Sequence, residues 1–257
     1  MKILITGSNG YIASSLISYL QKDNELVKIN RQNIDLKNKK DVDLFFHRNG
    51  FFDAVIHTAI EGGIRLKSDS SEILDNNLNC YYNLLENKSN YNKFIHFGSG
   101  AEIHNSNSYY GLSKKAIRYS ILEKDNFFNI RSFGVFDNNE LPTRFIKKSI
   151  INYISKKSIE VDEDKKMDFF YMKDLIFLVD FYLKSPNPPK EIDCSYDYSY
   201  TLRDIAEHIN SLGGHKVDIT CSNQKAKDYT GEYTNLNIDY KGLLTGIQET
   251  YNNIINT

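Results

Sequence analysis

The feature that most constrains the fold lies at the start of the chain. Lys2-Ile3-Leu4-Ile5-Thr6 runs straight into Gly7-Ser8-Asn9-Gly10, and a helical pattern begins at once. The apolar run is too short for a helix and suits a buried strand. Ile12, Leu16, Ile17 and Leu20 then recur at helix spacing. Strand, glycine turn and helix start, in that order, is the plan of a dinucleotide site. Gly7 permits the sharp turn, and Gly10 lets the backbone approach a pyrophosphate. Asn9, Tyr11 and Ile12 belong to the same turn, where the helix N-terminus offers free N–H groups and a partial positive charge. Ala13 stands where a third glycine often packs helix on strand, and its side chain is small enough to fit.

The pattern then repeats. Glu25–Asn30 reads as a second strand, Phe52–Ala59 as a third, Lys93–Gly100 as a fourth and Asn126–Arg131 as a fifth. Helical stretches separate them, with Val42, Phe45 and Phe46 facing inward on one, and others over 70–88 and from Ser108 to about Glu123. Strands alternating with helices predict an α/β fold with a doubly wound, Rossmann-type parallel sheet. From Asn138 the regularity loosens. A helix is expected from Pro142 through Ile154, a short strand at Ile159–Val161, an apolar helix over Asp174–Leu183 and a linker over Lys184–Lys190. Thr201 is placed to cap a further helix that Gly213-Gly214 ends. The division expected is a dinucleotide-binding domain over 1–138, with 168–184 returning to it, and a smaller substrate lobe over 139–257.

Cofactor choice turns on the residues just past the second strand. Sites that prefer NAD place a carboxylate about 20 residues past the glycines, to hold the ribose hydroxyls. Here the segment is Ile29-Asn30-Arg31-Gln32-Asn33, with an Arg and no carboxylate. A guanidinium can pair with a 2′-phosphate in a forked geometry, so Arg31 favours NADP(H) over NAD(H). The bland alternative is an exposed surface arginine. In the short extended piece Asn33–Leu36, Asp35 can accept from an adenine amino group while Leu36 lies against the ring. Thr58 and Ala59 end the third strand in small residues, which leaves room for a ligand in the crevice there. His57 reads better as a core histidine than as a catalytic one. Glu61-Gly62-Gly63-Ile64 reads as a flexible loop over the same crevice.

The chemistry is carried by Tyr110 and Lys114, four apart on one helix face. An ammonium beside a phenol favours the phenolate, which makes Tyr110 usable as a general acid or base near neutral pH. Ser99, ending the fourth strand, can bond the same substrate oxygen. A hydroxyl, a tunable phenol and a cation beside a dinucleotide suit hydride transfer between a carbonyl and an alcohol. The spacing alone is common by chance. It gains weight from its place in a chain that opens with a dinucleotide turn.

Composition excludes several classes. Lys+Arg 32 against Asp+Glu 33 advertises no nucleic-acid partner, and no apolar run reaches the roughly 20 residues of a membrane span. The N-terminal apolar run is too short for a signal peptide. Cys80, Cys194 and Cys221 are scattered, without metal-ligand spacing. Reduced thiols in a cytoplasmic protein and no metal site are the expectations.

With these residues in hand, the chain resembles the extended short-chain dehydrogenase/reductase family, in its nucleotide-sugar branch. The resemblance rests on Thr6-Gly7-x-x-Gly10-x-x-Ala13, on Ser99, Tyr110 and Lys114, on Arg131–Phe136, and on Asp168-Phe169-Phe170-Tyr171-Met172-Lys173-Asp174. Within the branch, the register from Arg31 through Asp35 to Gly62-Gly63-Ile64 is most similar to the GDP-L-fucose synthases. The resemblance implies NADPH as cofactor and a nucleotide-linked 4-keto-6-deoxy sugar as substrate. It implies substrate contacts from Glu61, Ser99, Gly100, Ala101, Phe133 and Arg144. It also implies a homodimer paired through the helices over 70–88 and 109–123.

The departures narrow the reaction. Dehydratases of the branch carry an Asp-Glu pair just after the catalytic hydroxyl, where this chain has Gly100-Ala101. Fucose synthases place a proton-moving cysteine at the Ala101 position, and their partner histidine falls near Pro142 or Thr143, neither of which titrates usefully. The expectation is a 4-ketoreductase without the epimerisation steps, with Glu102 and His104 as nearby groups able to substitute as proton shuttles. Met167 stands where relatives often have an arginine, so Lys165, Lys166 or Arg144 are the candidates for holding the diphosphate. The alternatives are a 4-epimerase with tightly held NAD and a non-catalytic dinucleotide-binding protein.

Overall fold

A computed structural model describes residues 1–63, 69–222 and 226–256. Ile64 lies outside them. In chain order the first elements are β1 (Lys2–Thr6), α1 (Tyr11–Leu20), β2 (Glu25–Ile29), α2 (Lys39–Asn49), β3 (Phe52–His57), α3 (Ser71–Glu86), β4 (Tyr91–Ser99), α4 (Ala101–His104), α5 (Tyr109–Leu122) and β5 (Phe127–Ser132). Next come β6 (Val135–Phe136), α6 (Phe145–Ile154), β7 (Ile159–Val161), β8 (Phe170–Tyr171), α7 (Met172–Lys184), β9 (Glu191–Asp193), α8 (Leu202–Ile209), β10 (Ile219–Cys221) and α9 (Leu243–Ile255). The chain divides into two units, Met1–Arg131 with Val179–Ile192, and Ser132–Leu178 with Asp193–Thr257.

The first unit is built on a six-stranded parallel sheet in the order β2-β1-β3-β4-β5-β9. A parallel strand covered on both faces must be apolar on both, and Ile3-Leu4-Ile5 and Ala54-Val55-Ile56 are wholly buried. Leu4 pairs in register with Val27 on one side and Val55 on the other. Val42 and Phe46 of α2, Leu84 of α3, and Ile117 and Ile121 of α5 join Leu4, Val55 and Phe94 in one core. Chain progression reverses between β1 and β3. Ligands bind in such sheets at that switch point, outside the carboxyl ends of the strands.

The segment 33–36 forms no strand, and the sheet ends at β2. The asparagines explain this. The Asn30 carbonyl accepts from the N–H groups of Asn33 and Ile34, and the Asn33 side chain accepts from the Asn30 N–H at 2.7 Å. Self-bonding of this kind competes with a ladder.

The second unit gathers Ile146, Ile150 and Tyr153 of α6 with Ile159, Val161, Leu202, Ile205, Leu243 and Ile247. Two short parallel pairs, β7 with β10 and β6 with β8, edge this core. Thr201 and Asp204 form a reciprocal capping box at the start of α8. That helix ends at Ile209, with Asn210 as its C-cap, so Gly213-Gly214 lies beyond it. The helix expected from Pro142 begins at Phe145. Arg144 is extended at the N-cap, and the Glu140 carboxylate accepts from the Lys147 N–H at 3.2 Å, filling the capping role from outside the helix. Asp168 accepts from the hydroxyls of Ser195 and Ser199 and from the Gly231 N–H, tying three segments together. No helix among the described residues is long and apolar enough to cross a membrane.

Candidate active site

The glycine turn sits at the switch point. Gly7 has φ +66°, and a Cβ there would lie 2.8 Å from the Ala59 backbone, so a side chain is excluded on conformation and on space. Three further bonds lock β1 to the end of β3. The Thr58 hydroxyl donates to the Thr6 carbonyl at 2.7 Å, the Ala59 N–H donates to Thr6 Oγ1, and Thr6 Oγ1 lies 2.8 Å from His57 Nδ1. Gly10 N–H closes the turn on the Gly7 carbonyl at 2.8 Å. Gly10 is the N-cap of α1. No side chain caps this end, and no acidic residue occupies its first turn. The first N–H groups of α1, from Tyr11 and Ile12 onward, are therefore not taken by a side-chain cap, and an anion meets no competing carboxylate there.

The end of β2 is tied to the same turn. Asn30 Nδ2 reaches Ser8 Oγ and Asn9 Oδ1, each at 3.3 Å, and the Ser8 N–H donates to the Ile29 carbonyl. Arg31, next in the chain, is exposed and makes no hydrogen bond or ion pair among the described residues. Asp35 is exposed as well, while Leu36 is buried in the core under it.

Ser99 closes β4, and Tyr110 and Lys114 lie on α5. Ser108 caps that helix by accepting from the Gly111 N–H at 3.0 Å, which fixes where its first turn begins. The Lys114 ammonium lies 5.9 Å from the centre of the Tyr110 ring and donates to the Phe97 carbonyl of β4. Lys114 is buried, and burial pulls its pKa down to about 8, with the nearby Glu102 carboxylate opposing the shift. An ammonium has three donors, so Phe97 leaves two for a ligand. Ser99 Oγ accepts from the Ala101 N–H at 3.2 Å, and its proton remains available for donation.

Gly62 and Gly63 both have positive φ, +85° and +71°. Together they turn the backbone onto the ring of Tyr110. Asn77 of α3 pins this loop from below, accepting from the Glu61 N–H at 2.9 Å and donating to the Glu61 carbonyl at 3.0 Å. The Glu61 carboxylate accepts from Asn76 at 2.8 Å. The sequence marked the paired glycines as a flexible loop. It carried no sign of the approach to Tyr110 or of the Asn77 clamp.

Gly100 and Ala101 are buried behind Ser99. Glu102 is buried too, and it is not placed as a mobile proton carrier. One carboxylate oxygen accepts from the Ser99 N–H and the other from Arg131 and Asn129. His104 is exposed. Phe133 and Arg144 belong to the second unit. Phe133 is buried edge-on against Tyr229, and Arg144 is exposed at the start of α6. Lys165 is paired with Glu163 at 3.0 Å. Among the described residues no cluster of His, Cys, Asp or Glu could hold a metal ion.

A dinucleotide-type turn at a switch point, with a hydroxyl, a phenol and a buried ammonium on the neighbouring strand and helix, defines the class of site. The chain belongs to the NAD dependent epimerase/dehydratase family, whose pattern matches residues 3–194. CDP-abequose synthase of Yersinia pseudotuberculosis is 23% identical over 251 residues, covering 85% of this chain and 87% of that protein. Among solved structures, the GDP-mannoheptose C4 reductase MlghC of Campylobacter jejuni, with NADP bound, superposes with a TM-score of 0.82 at 17% identity, covering 100% of this chain and 98% of that one. UDP-glucuronic acid 4-epimerase of Bacillus cereus, in complex with UDP-glucuronic acid and NAD, gives 0.77 at 19% identity, with 100% and 99% covered. These enzymes modify nucleotide-linked sugars, some by reduction and some by epimerisation. The six-stranded sheet places this chain in the same fold.

Proposed function

We propose that this protein reduces the 4-keto group of a nucleotide-activated 6-deoxy sugar with NADPH. The observation that carries the reading is the pairing of two features. Tyr110 and Lys114 share one face of α5 beside Ser99, and the position two past Ser99 is a buried alanine. The first supplies a proton donor for a carbonyl oxygen. The second removes the group that would move protons at the carbons beside it.

The residues fit a nicotinamide dinucleotide. The glycine turn leaves an uncapped helix end for the pyrophosphate, with Asn9, Gly10, Tyr11 and Ile12 lining it. Arg31 stands past β2 with its guanidinium unpaired among the described residues, and no carboxylate of the Asn30–Asn33 turn would repel a 2′-phosphate. Asp35, Leu36, Thr58 and Ala59 are the proposed adenosine contacts. When bound, the reduced cofactor supplies the hydride. The chain does the rest. Ser99 hydrogen-bonds the ketone oxygen through its hydroxyl and keeps its proton, Tyr110 gives that oxygen its one proton as the alkoxide forms, and Lys114 holds a cofactor ribose while supporting Tyr110.

Tyr82 on α3, with Leu112 and Tyr119 on α5, are exposed apolar side chains on two helices that pack together. They support a homodimer through this face. Cys80, Cys194 and Cys221 are free thiols, in keeping with a cytoplasmic enzyme. The test is a set of 4-keto-6-deoxyhexoses carried on CDP, GDP, dTDP and UDP. Loss of NADPH absorbance with one of them, and formation of the 4-hydroxy sugar, is the expected result. Tight retention of NAD through purification, with no net consumption of NADPH, would favour a 4-epimerase instead.

A further inference from the structure

Beneath the Ser99 turn the first unit holds a ladder of alternating charges that the proposed reaction does not use. Glu102 Oε1 accepts from the Ser99 N–H at 2.9 Å, and Oε2 accepts from Arg131 Nε at 3.0 Å and from Asn129 Nδ2 at 3.2 Å. Arg131 reaches on to Glu191 at 3.4 Å, and Arg118 of α5 grips both oxygens of Glu191 at 2.6 Å. The inner pair is almost wholly shielded, with side-chain exposures of 5% for Arg131 and 1% for Glu102.

A buried ion pair contributes little net stability, because desolvation offsets most of the attraction. Apolar replacements of similar volume are often neutral or better. Stability alone therefore gives no reason for this pair, whereas its location does. A Cβ at Gly98 would lie 2.3 Å from Glu102 Oε1, so the strand has room for the carboxylate only because position 98 is glycine. The carboxylate then holds Ser99 by its main chain, while the Ala101 N–H holds Ser99 by its hydroxyl oxygen. The catalytic hydroxyl is fixed from two sides.

The same carboxylate acts on Lys114. That ammonium donates to the Phe97 carbonyl of β4 and lies over the Tyr110 ring of its own helix, the Glu102 carboxylate of α4 is the charge that favours its protonated form, and His57 of β3 and His96 of β4 feel its field. Both histidines are buried and held neutral. Glu102 is thus the anion that offsets the burial of Lys114, and burial pushes the Glu102 carboxyl up against the pull of Arg131 and the Ser99 N–H.

We propose that Glu102 is a positioning residue of this active site: its buried carboxylate, clamped by Arg131 and Asn129, fixes the Ser99 hydroxyl and supplies the negative charge that the Lys114 ammonium faces. The role in turnover rests on the reductase reading given above, while the effect on Lys114 does not.

The test uses Glu102→Gln and Glu102→Asp in the full chain. Lys114 is titrated by NMR of 13Cε-labelled lysine, its signal assigned by its loss in Lys114→Arg. In Glu102→Gln the Lys114 titration moves to lower pH than in the wild type. Its kcat with NADPH and the 4-keto-6-deoxyhexose that the wild type turns over falls by about 10²-fold, the size expected for a reacting group displaced by about an ångström. NADPH affinity, read by fluorescence, stays within about threefold, well inside one tenfold step of binding energy. Glu102→Asp keeps the anion for Arg131 and so guards against simple unfolding. It restores the Lys114 titration but not kcat, because it is one methylene short of the Ser99 N–H. An unmoved Lys114 titration in Glu102→Gln, or wild-type kcat in Glu102→Asp, would overturn the proposal. If the wild type turns over none of the four sugars, the reductase reading fails, and the Lys114 titration still decides whether Glu102 sets its charge.

Discussion

Gly63 lies against the ring of Tyr110: a Cβ on that glycine would stand 2.8 Å from Tyr110 Cζ. The backbone there has φ +71°, so the position refuses a side chain on two counts. Gly63→Ala is expected to cost about 1–2 kcal/mol in backbone strain and to push the phenol out of place. The kcat should fall by about 10²-fold with NADPH affinity little changed, since the glycine turn at Gly7–Gly10 is untouched. Steady-state turnover assays beside fluorescence titration of NADPH check this.

The cofactor prediction concerns Arg31. If its guanidinium meets the 2′-phosphate, Arg31→Ala weakens NADPH binding by about tenfold, the size of one charge-assisted hydrogen bond at an exposed site. NADH affinity stays the same, because NADH lacks that phosphate. Unchanged affinity for both cofactors would assign Arg31 to the surface, and equal losses would move its contact to a part of the cofactor that NADH shares.

Proton exchange separates plain reduction from epimerisation coupled to it. Ala101 is buried and does not titrate, and both Glu102 oxygens are engaged, so neither of these two residues just past Ser99 is placed to remove a proton from the carbons flanking the ketone. Product formed in D2O should carry no carbon-bound deuterium at those positions. Deuterium seen there by NMR would mean that another residue performs the exchange.

His57 and His96 make stability depend on acid. Their rings stack at 5.5 Å inside the sheet, and both are fully buried. Burial, with the Lys114 charge adding to it, lowers the His57 pKa to about 3 and carries His96 well below its ordinary range. Both are bases whose folded-state pKa is depressed, so the unfolded chain takes up protons that the folded chain refuses. Stability is therefore whole above about pH 6.5 and is lost as pH falls toward 3. For His57 alone the loss is on the order of 4 kcal/mol at the acid end. Urea melts over this range should show it, and His96→Leu should make the decline shallower.

The five strands before residue 133 were legible because each carries a short cluster of apolar residues between helical stretches, and the helix start at Tyr11 because Gly7 and Gly10 punctuate it. The face shared by Tyr110 and Lys114 followed from helix geometry alone. What could not be read were features with no local period. Glu191–Asp193 completes the sheet with three residues, two of them acidic. β6 and β8 have two residues each. The buried positions of α9, Leu243, Gly246, Ile247 and Thr250, include a glycine and a threonine, which blurs its helical period. The extended piece at Asn33–Leu36 joins no sheet, because Asn33 and Ile34 bond back to Asn30. The contacts that shape the site join residues far apart in the chain, Gly63 to Tyr110 and Glu102 to Arg131. Glu102 was open to a proton-shuttle reading for the same reason, since its partners on β5 are visible only in three dimensions.

Tyr110 carries the central step of the proposed reaction. The decisive measurement is NADPH oxidation on the set of 4-keto-6-deoxyhexoses carried on CDP, GDP, dTDP and UDP, by the wild type and by Tyr110→Phe, with NADPH affinity measured for both. The wild type should oxidise NADPH with one of these sugars, and the variant should lose about 10²- to 10⁴-fold in kcat at nearly unchanged NADPH affinity. Unaltered turnover in Tyr110→Phe, or no affinity for NADPH in the wild type, would contradict the proposed role of the phenol.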